Sequence, residues 1–183
     1  MNEVLKTITE RYSCRDFKTE MPSDEMLNII ADAAVKAPSG MNNQPWRVIV
    51  LKNKELMKEI EEEGMNFLKN SDQTAYERIM GRGGKLFYDA PCMIIVPTPN
   101  GGAGMDCGIL LENIALAAQS LGLATVICGL TGCAFANKER AAEFSKKLGF
   151  PDGYAFCSSV LIGYPNTVTK PHQPDKSKIS FVE

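Results

Sequence analysis

Five segments of the chain repeat apolar residues at the spacing of an amphipathic helix, and four others are short runs of mainly apolar residues. The helical spacing predicts helices over residues 2–10, 24–36, 54–63, 106–121 and 138–148. The apolar runs predict buried strands over residues 46–51, 92–96, 123–128 and 154–162. Together they indicate a mixed fold in which a small sheet is flanked by helices, and they leave the order of the strands open.

Residues at the ends of the predicted helices support these boundaries. Ser23 is a favourable N-cap for the second helix, and Pro38 ends it. Asn137 caps the last helix, and Gly149 ends it. The helix over residues 106–121 is apolar on most of its faces, which predicts a place at the centre of the domain or in a subunit interface.

Two segments have no clear pattern. Residues 64–89 contain four glycines and scattered aromatic side chains. Residues 165–183 contain three prolines and little periodicity, and a tail of this kind rarely packs on its own. The pattern alone therefore leaves the structure of both segments open.

The composition is that of one folded domain over residues 1–183. Hydrophobic residues make up 44% of the chain and charged residues 23%, which is ordinary for a globular protein. A formal net charge of −2 and a pI of about 5.6 argue against general nucleic-acid binding, which usually needs a basic face. No run approaches the roughly 20 apolar residues of a membrane span, and residues 1–4 lack the features of a secretion signal. We therefore expect a cytoplasmic protein without a nucleic-acid or membrane partner.

The six cysteines are many for this length, and no two of them form a C-x-x-C pair. Most lie in apolar runs, where a thiol behaves as a small buried hydrophobic group. Cys14 differs because Arg11 and Arg15 flank it, and nearby guanidinium groups would lower the pKa of an exposed thiol. An exposed Cys14 is therefore a candidate for a catalytic or redox-sensing role.

Three further patterns resemble known functional motifs, but each lacks a feature that its motif requires. The glycines of residues 101–108 lack the spacing of a dinucleotide-binding loop. Residues 83–85, Gly-Gly-Lys, lack the following Ser or Thr of a phosphate-binding loop. His172 is the only histidine, which argues against a histidine metal site and against a Ser/His/Asp triad.

The segment from Arg11 to Arg15 has side chains that suit a phosphate group. Its sequence is Arg-Tyr-Ser-Cys-Arg, which supplies two guanidinium groups and two hydroxyl groups within five residues. These groups form charge-assisted hydrogen bonds with a phosphate monoester. The alternative is a solvated pair of arginines at a helix end, with Ser13 as a turn hydroxyl.

The segment from Pro38 to Trp46 has side chains that suit a polar ring. Its sequence is Pro-Ser-Gly-Met-Asn-Asn-Gln-Pro-Trp, with three consecutive carboxamides. Asn and Gln offer both donors and an acceptor, so they can bind the edge of a planar heteroaromatic ring. The alternative is a generic polar loop followed by a core tryptophan. A phosphate-binding segment together with a ring-binding loop suggests a mononucleotide-like cofactor.

These segments, in this order, resemble those of the FMN-dependent nitroreductase family. Residues 162–165, Ile-Gly-Tyr-Pro, close the last predicted strand, and residues 176–178, Lys-Ser-Lys, lie in the tail where the family often places basic phosphate ligands. The resemblance covers nearly the whole chain. It implies an α+β fold, an α/β/α sandwich with a mostly antiparallel sheet, in a homodimer with FMN at the subunit interface. It also implies that a C-terminal arm, about residues 165–183, extends onto the partner subunit.

The resemblance implies which residues bind FMN, and it names no catalytic side chain and no metal ligand. The set is Arg11, Tyr12, Ser13, Arg15, Pro38, Ser39, Gly40, Asn42, Gln44, Thr131, Gly132, Lys176 and Lys178. The basic residues and Ser13 would hold the phosphate and the ribityl chain. The loop would lie along one flavin edge, with Asn42 and Gln44 bonded to the pyrimidine side.

Thr131 and Gly132 follow the third predicted strand, where the family supplies a backbone N–H to flavin N5. Many members have an acidic residue at the position of Thr131. A glycine-rich turn from the strand into a loop is the alternative for this segment.

The implied activity is hydride transfer from NADH or NADPH through flavin N5 to nitroaromatic, quinone or similar acceptors, with ping-pong kinetics. Residues 64–89 would form a helix and mobile loops near the substrate entrance. One alternative is a specialised flavin reductase on the same scaffold, such as a dehalogenase or an enoyl-type reductase. Another is a non-enzymatic FMN-binding or redox-sensing protein that acts through Cys14.

Overall fold

A computed structural model describes residues 1–102 and 104–183, and in these residues it contains six α-helices, four strands and three 3₁₀ segments. The helices are α1 (Glu3–Glu10), α2 (Asp24–Val35), α3 (Lys54–Ser71), α4 (Gln73–Met80), α5 (Gly104–Ser120) and α6 (Lys138–Leu148). The strands are β1 (Ile49–Leu51), β2 (Cys92–Pro99), β3 (Ala124–Ile127) and β4 (Tyr154–Gly163). The 3₁₀ segments are Gly40–Asn42, Gly129–Phe135 and Lys176–Lys178.

The four strands form one antiparallel sheet in the order β1-β2-β4-β3. The ladder between β2 and β4 shifts between Val96 and Pro97, where a proline cannot donate a ladder hydrogen bond. Residues 11–17, here called the bridge segment, lie along the edge strand β3. Ser13 forms a parallel bridge with Thr125, and the N–H of Cys14 donates to the Thr125 carbonyl at 2.9 Å.

Helices cover both faces of the sheet. On one face Met93, Ile95 and Leu161 pack in a core shared with α3, α4 and α6. On the other face Ile94 and Val160 pack in a core shared with α2 and α5. Alternate side chains of a strand point to opposite faces, which explains this division. The predicted α/β/α sandwich with an antiparallel sheet is confirmed, and α5 packs with α2 on one face of that sheet.

Three elements differ in length from their predictions by three residues or more: β1, α3 and β2, which continues to Pro99. The strand predicted over residues 46–51 is regular only in β1, although Trp46 is buried and the N–H of Arg47 donates to the Pro97 carbonyl at 3.1 Å. Pro97 has no N–H to donate back to the first strand, so the regular pairing ends there. The helix predicted over residues 54–63 continues to Ser71, because Gly64 and Leu68 extend its buried face. A Cβ at position 64 would lie 3.0 Å from Leu86 Cδ2, so Gly64 permits close packing instead of ending the helix.

The C-terminal arm is attached to the body at its start. The N–H of Asn166 donates to the Asp16 carbonyl at 2.9 Å, and the Thr167 hydroxyl donates to the Asp16 carboxylate at 2.5 Å. Beyond this point every residue of the arm is exposed except the half-buried Pro171. Among the described residues, no helix has both the length and the apolar character that are needed to span a bilayer.

Candidate functional site

The bridge segment places its charged and polar side chains on one face. Its chain is extended after α1, and burial alternates along it: Tyr12 and Cys14 are buried, while Arg11, Ser13 and Arg15 are partly or fully exposed. This alternation follows from the two-residue period of extended chain, with the core side fixed by the bridge to β3. Arg11, Ser13 and Arg15 therefore share the outward face, as an R-x-S-x-R phosphate-binding motif requires.

Arg15 lines a cavity of about 210 Å³ whose walls come from three parts of the chain. One wall is Arg15, and the second is the end of α4 and the turn after it, with Arg78, Arg82 and Lys85. The third is residues 126–130, at the end of β3. We call this the cationic cavity, because four basic side chains and no carboxylate line it.

The four cations of the cavity differ in how they are neutralised. Lys85 pairs with Asp89, and a guanidinium N–H of Arg15 donates weakly to the Ser13 carbonyl at 3.4 Å. Among the described residues, Arg78 and Arg82 take part in no ion pair. The cavity therefore has an excess of positive charge that suits an anionic ligand.

Arg78, Arg82 and Tyr88 lie within the region that the sequence pattern left open. The available signal was the four-residue spacing of Arg78 and Arg82, which places two residues on one side of a helix. Tyr88 lines the cavity with a φ of 53°, and the adjacent Asp89 has a φ of 60°. Such left-handed backbone is unfavourable for residues with a Cβ and is concentrated at functional sites.

Thr131 is buried, and Gly132 beside it is half-buried. Thr131 is fully buried, and its hydroxyl forms a 2.8 Å hydrogen bond with the hydroxyl of Ser159. A Cβ at position 132 would lie 3.2 Å from Cε1 of Phe156, so Gly132 permits the close approach of that ring. The Thr131 side chain offers no free surface to a ligand, and the neighbouring Gly129 and Leu130 line the cationic cavity instead.

Arg11 and Tyr12 have separate environments. Arg11 forms an ion pair with Glu112 on α5 at 3.5 Å, and it lines a second cavity, of about 550 Å³, between α1 and residues 170–174. Tyr12 is packed in the core, and its hydroxyl is the one buried side-chain polar atom without a partner among the described residues. Burial raises the pKa of the Tyr12 phenol above its ordinary value, and the nearby Cys14 raises it further. Arg11 and Arg15 thus share a face but line different cavities.

Cys14 lacks the exposure that a reactive thiol needs. Its side chain is 1% exposed, and the thiol donates to the Asp16 carbonyl at 3.2 Å. Burial raises the pKa of the Cys14 thiol above its ordinary value; the Asp16 backbone and the charge of Arg15 offset this only in part, and the charge of Asp16 raises the pKa further. The expected lowering of the pKa was conditional on exposure, and that condition is not met, because Cys14 is buried and burial outweighs the nearby guanidinium group.

The loop over residues 38–44 is exposed and tied to the start of α5. The N–H of Gly40 donates to the Asp106 carboxylate at 3.2 Å, and the N–H of Gln44 donates to the Ser39 hydroxyl at 2.9 Å. The side-chain amide of Gln44 donates to Asn42 at 3.2 Å. Met41, Asn42 and Gln44 have φ values of 50°, 55° and 46°, which is the left-handed region. The loop thus presents its carboxamides outward in an unfavourable backbone conformation, which is typical of binding sites.

Within the described residues, the cavities that Arg11 and Arg15 line are separate from the 38–44 loop. Neither the cationic cavity nor the cavity beside Arg11 includes a residue of the 38–44 loop. The loop bonds to Asp106 and Arg11 pairs with Glu112, six residues further along α5. This separation is about 9 Å along a helix axis, so α5 holds the two motifs apart.

Lys176 and Lys178 do not line the cationic cavity of the same chain. Both are exposed in the last 3₁₀ segment, and Lys178 lies 3.9 Å from the Asp175 carboxylate. Lys170, which the sequence reasoning did not select, is the basic residue of the arm that lines the cavity with Arg11. The positions of Lys176 and Lys178 as phosphate ligands remain a prediction.

Comparison with known proteins agrees with this geometry. A sequence profile of the nitroreductase family matches residues 8–164. A solved nitroreductase with bound FMN from Desulfitobacterium hafniense DCB-2 is 64% identical, with a TM-score of 0.97 over 100% of both chains. A second FMN-bound nitroreductase, from Bacteroides fragilis NCTC 9343, is 31% identical, with a TM-score of 0.89 over 100% of both chains. The FMN reductase [NAD(P)H] of Bacillus subtilis is 29% identical over 97% of this chain and 72% of its own length. The chain belongs to the nitroreductase family.

Proposed function

We propose that this protein is an FMN-dependent oxidoreductase that transfers reducing equivalents from NADH or NADPH to nitroaromatic, quinone or similar acceptors. The observation that carries this proposal is the bridge segment, which turns Arg11, Ser13 and Arg15 outward on one face. A relative that is 64% identical over its whole length is described as a nitroreductase with bound FMN. Identity at this level over a complete chain supports the same cofactor here.

The residues of this chain fit FMN chemically. The phosphate monoester carries close to two negative charges at neutral pH, and guanidinium groups bind such an oxyanion with two parallel hydrogen bonds. Arg11, Ser13 and Arg15 supply these donors from one extended segment. Asn42 and Gln44 are exposed and supply carboxamides for the polar edge of the ring.

Bound FMN would supply the redox chemistry, accepting a hydride from NAD(P)H at N5 and passing reducing equivalents to the acceptor. The side chains of the protein then have to bind and orient the cofactor and to stabilise the charge that develops on it. A cationic group near the ring would stabilise negative charge that develops there on reduction. Gly129 and Leu130 line the cavity beside Arg15, whereas the assignment of Thr131 and Gly132 rests on the resemblance alone.

NAD(P)H and the acceptor would bind one after the other at the same site, which predicts ping-pong kinetics. The cationic cavity, at about 210 Å³, is smaller than the roughly 300–1,000 Å³ that is usual for a small-molecule site. Steady-state rates at several fixed acceptor concentrations would then give parallel double-reciprocal lines. Intersecting lines would mean that donor and acceptor are bound together.

A second copy of the chain would complete the site. The apolar residues of α1 are exposed, with Val4 at 65%, Leu5 at 52% and Ile8 at 49%. An amphipathic helix with an uncovered apolar face usually packs on another surface. In a homodimer the 38–44 loop and the arm of one copy would meet the bridge segment of the other, which accounts for the separation of the two motifs within one chain.

The visible spectrum of the purified protein tests the proposal most directly. We expect a flavin spectrum that bleaches rapidly when NADH or NADPH is added without oxygen. A flavin spectrum that persists with both donors would indicate a binding protein or a different reductant. A colourless protein that cannot be reconstituted with FMN would overturn the proposal.

A further inference from the structure

We propose that Asp16 is a positioning residue that fixes the direction in which the C-terminal arm leaves the body of the protein, and with it the place of the phosphate ligands of the arm. This inference rests on the proposed function and deepens it, because the arm contains the predicted ligands Lys176 and Lys178. It concerns a side chain that does not line the cationic cavity and is not among the proposed FMN ligands.

Asp16 binds the start of the arm with both its main chain and its side chain. The N–H of Asn166 donates to the Asp16 carbonyl at 2.9 Å. The side-chain amide of Asn166 donates to both carboxylate oxygens, at 3.2 and 3.3 Å, and the Thr167 hydroxyl donates to one of them at 2.5 Å. Three donor groups of the arm thus converge on one residue, and we call these contacts the Asp16 clamp.

The main chain next to the clamp is itself fixed to the sheet. Phe17 is buried and forms an antiparallel bridge with Pro165, and the N–H of Lys18 donates to the Tyr164 carbonyl at 2.9 Å. A Cβ at position 163 would lie 3.1 Å from Cδ1 of Phe17, so Gly163 permits this ring to approach the end of β4. The clamp therefore has a firm base from which to hold the arm.

The carboxylate of Asp16 is bound by the arm and not by the neighbouring arginine. Within residues 1–102 and 104–183, neither Asp16 nor Arg15 takes part in an ion pair. Adjacent side chains of an extended segment point to opposite sides, so Arg15 is exposed while Asp16 is half-buried. Because uncharged donors of the arm bind the carboxylate, the positive charge of Arg15 is kept for a ligand.

The direction of the arm at its start matters because its lysines lie far along it. Lys176 follows Thr167 by nine positions, which an extended chain spans with up to about 30 Å. Pro171 and Pro174 lie between them and restrict the backbone, so the chain retains part of its initial direction. A different direction at Thr167 would therefore move the lysines of the arm away from the cofactor phosphate.

The ordinary explanation of the clamp is that it only stabilises the end of β4. An uncharged side chain would serve that purpose without placing a negative charge beside a phosphate site. Hydrogen bonds to an ionised acceptor are stronger than those between neutral groups. The arm needs such an attachment, because beyond Thr167 every residue is exposed except the half-buried Pro171.

Two substitutions of Asp16 test the inference through the FMN affinity of the full chain, measured by flavin fluorescence titration. Asp16→Ala removes the carboxylate of the clamp, and the affinity should fall about tenfold, the scale of a lost hydrogen bond to a charged group. Asp16→Asn keeps an acceptor oxygen for the arm and should stay within about threefold of the wild type. If the carboxylate acted only through its charge, both variants would bind FMN more tightly, and the inference would be overturned.

The double variant Asn166→Ala, Thr167→Val breaks the clamp from the side of the arm and keeps the charge of Asp16. It should also lose about tenfold in FMN affinity. Adding Asp16→Ala to it should cost no more than about twofold further, because the same contacts are lost in both. Losses that multiply would overturn the inference. Asp152→Ala is the matched control, because it removes an exposed carboxylate at the opposite end of β4, and its affinity should stay within about twofold of the wild type.

Amide hydrogen exchange separates failure of the inference from failure of the proposed function. It is measured on the FMN-free protein at Asn166, whose N–H donates to the Asp16 carbonyl. Exchange should be about tenfold or more faster in Asp16→Ala than in the wild type or in Asp152→Ala. A protein that binds no FMN but shows this difference would overturn the proposed function and keep Asp16 as the residue that positions the arm. Unchanged exchange, or faster exchange with unchanged FMN affinity, would overturn the inference and keep the proposed function.

Discussion

The bridge segment and the C-terminal arm both contain predicted phosphate ligands, but the body of the protein holds them very differently. In the bridge segment Tyr12, Cys14 and Phe17 are buried, and the backbone of Cys14 is bonded to β3. Arg15 therefore projects from a main chain that is fixed to the sheet. The position of its backbone is set before a ligand binds, which reduces the cost of binding.

The arm has little to hold it beyond its first residues. Asn166 and Thr167 bond to Asp16, but Phe181 is 90% exposed and Val182 is 97% exposed. Ordering an extended backbone costs about 1–2 kcal/mol per residue, so the arm needs a further surface to hold it in place. The same type of basic side chain is thus pre-organised in one segment and dependent on assembly in the other.

Removal of residues 171–183 should give the largest effect. We expect FMN affinity to fall by about 3 kcal/mol or more, because two charge-assisted hydrogen bonds from Lys176 and Lys178 are lost together. The dimer should also dissociate, because the arm contains exposed apolar residues such as Phe181. Flavin fluorescence titration and sedimentation velocity measure the two effects.

The double variant Lys176→Gln, Lys178→Gln is the control for this truncation. It keeps the length and the apolar residues of the arm and removes only its two charges near the end. It should weaken FMN binding and leave the dimer intact. A truncated protein that remains dimeric and saturated with flavin would refute this account of the arm.

Arg15→Ala should weaken FMN binding by about 1.5–3 kcal/mol, the scale of a hydrogen bond to a charged group. The fold should be unaffected, because the Arg15 side chain is exposed and its one described hydrogen bond is weak. The measurement is the dissociation constant of FMN, with Lys138→Ala as the control. An unchanged constant would remove Arg15 from the site.

Thr131→Val should lower the free energy of unfolding by about 1–2 kcal/mol, because it breaks the buried hydrogen bond to Ser159. Val has nearly the shape of Thr, so the packing is kept. Urea unfolding of the FMN-free protein gives the stability, and titration gives the FMN affinity. Loss of affinity with full stability would instead place the Thr131 side chain at the cofactor.

Cys14 should react slowly with a thiol reagent in the folded protein. Burial raises the pKa of its thiol, so the thiol is protonated at neutral pH and becomes reactive only as the pH rises. We expect alkylation about tenfold or more slower than in the urea-unfolded chain, because the buried side chain must first be exposed. Peptide mass spectrometry measures the rate at Cys14, with the half-buried Cys157 as an internal reference. Equally fast labelling of the folded and unfolded chain would mean that the bridge segment is not fixed.

The sequence predicted the secondary structure well where one physical signal dominated. The cap at Ser23 and the apolar stripe after it place α2 within one residue of its observed end. Gly64 was the opposite case, because glycine is usually a sign of a helix end but here makes room for Leu86. A contact between residues 22 positions apart is not visible in a local pattern.

In the candidate site, too, the sequence predicted some features, and only the fold decided others. The residue types between Arg11 and Arg15 predicted an anion site, and the described cavity contains Arg15. Arg78 and Arg82 were missed because their region has no simple periodicity and their common cavity forms only when α4 packs beside β3. Thr131 was assigned through the resemblance, whereas the structure places its side chain in a hydrogen bond inside the core.

The sequence by itself determined most of the elements outside residues 64–89, the two motifs and the family, because each depends on residue types at short spacing. The tertiary structure alone decided which cations share a cavity, which thiol is buried and which motifs remain apart. Those properties depend on contacts between distant parts of the chain: the pairing of the bridge segment with β3, and the position of α5 between Arg11 and the 38–44 loop. Charge and hydrogen-bonding capacity belong to single residues, whereas burial and proximity belong to the folded chain.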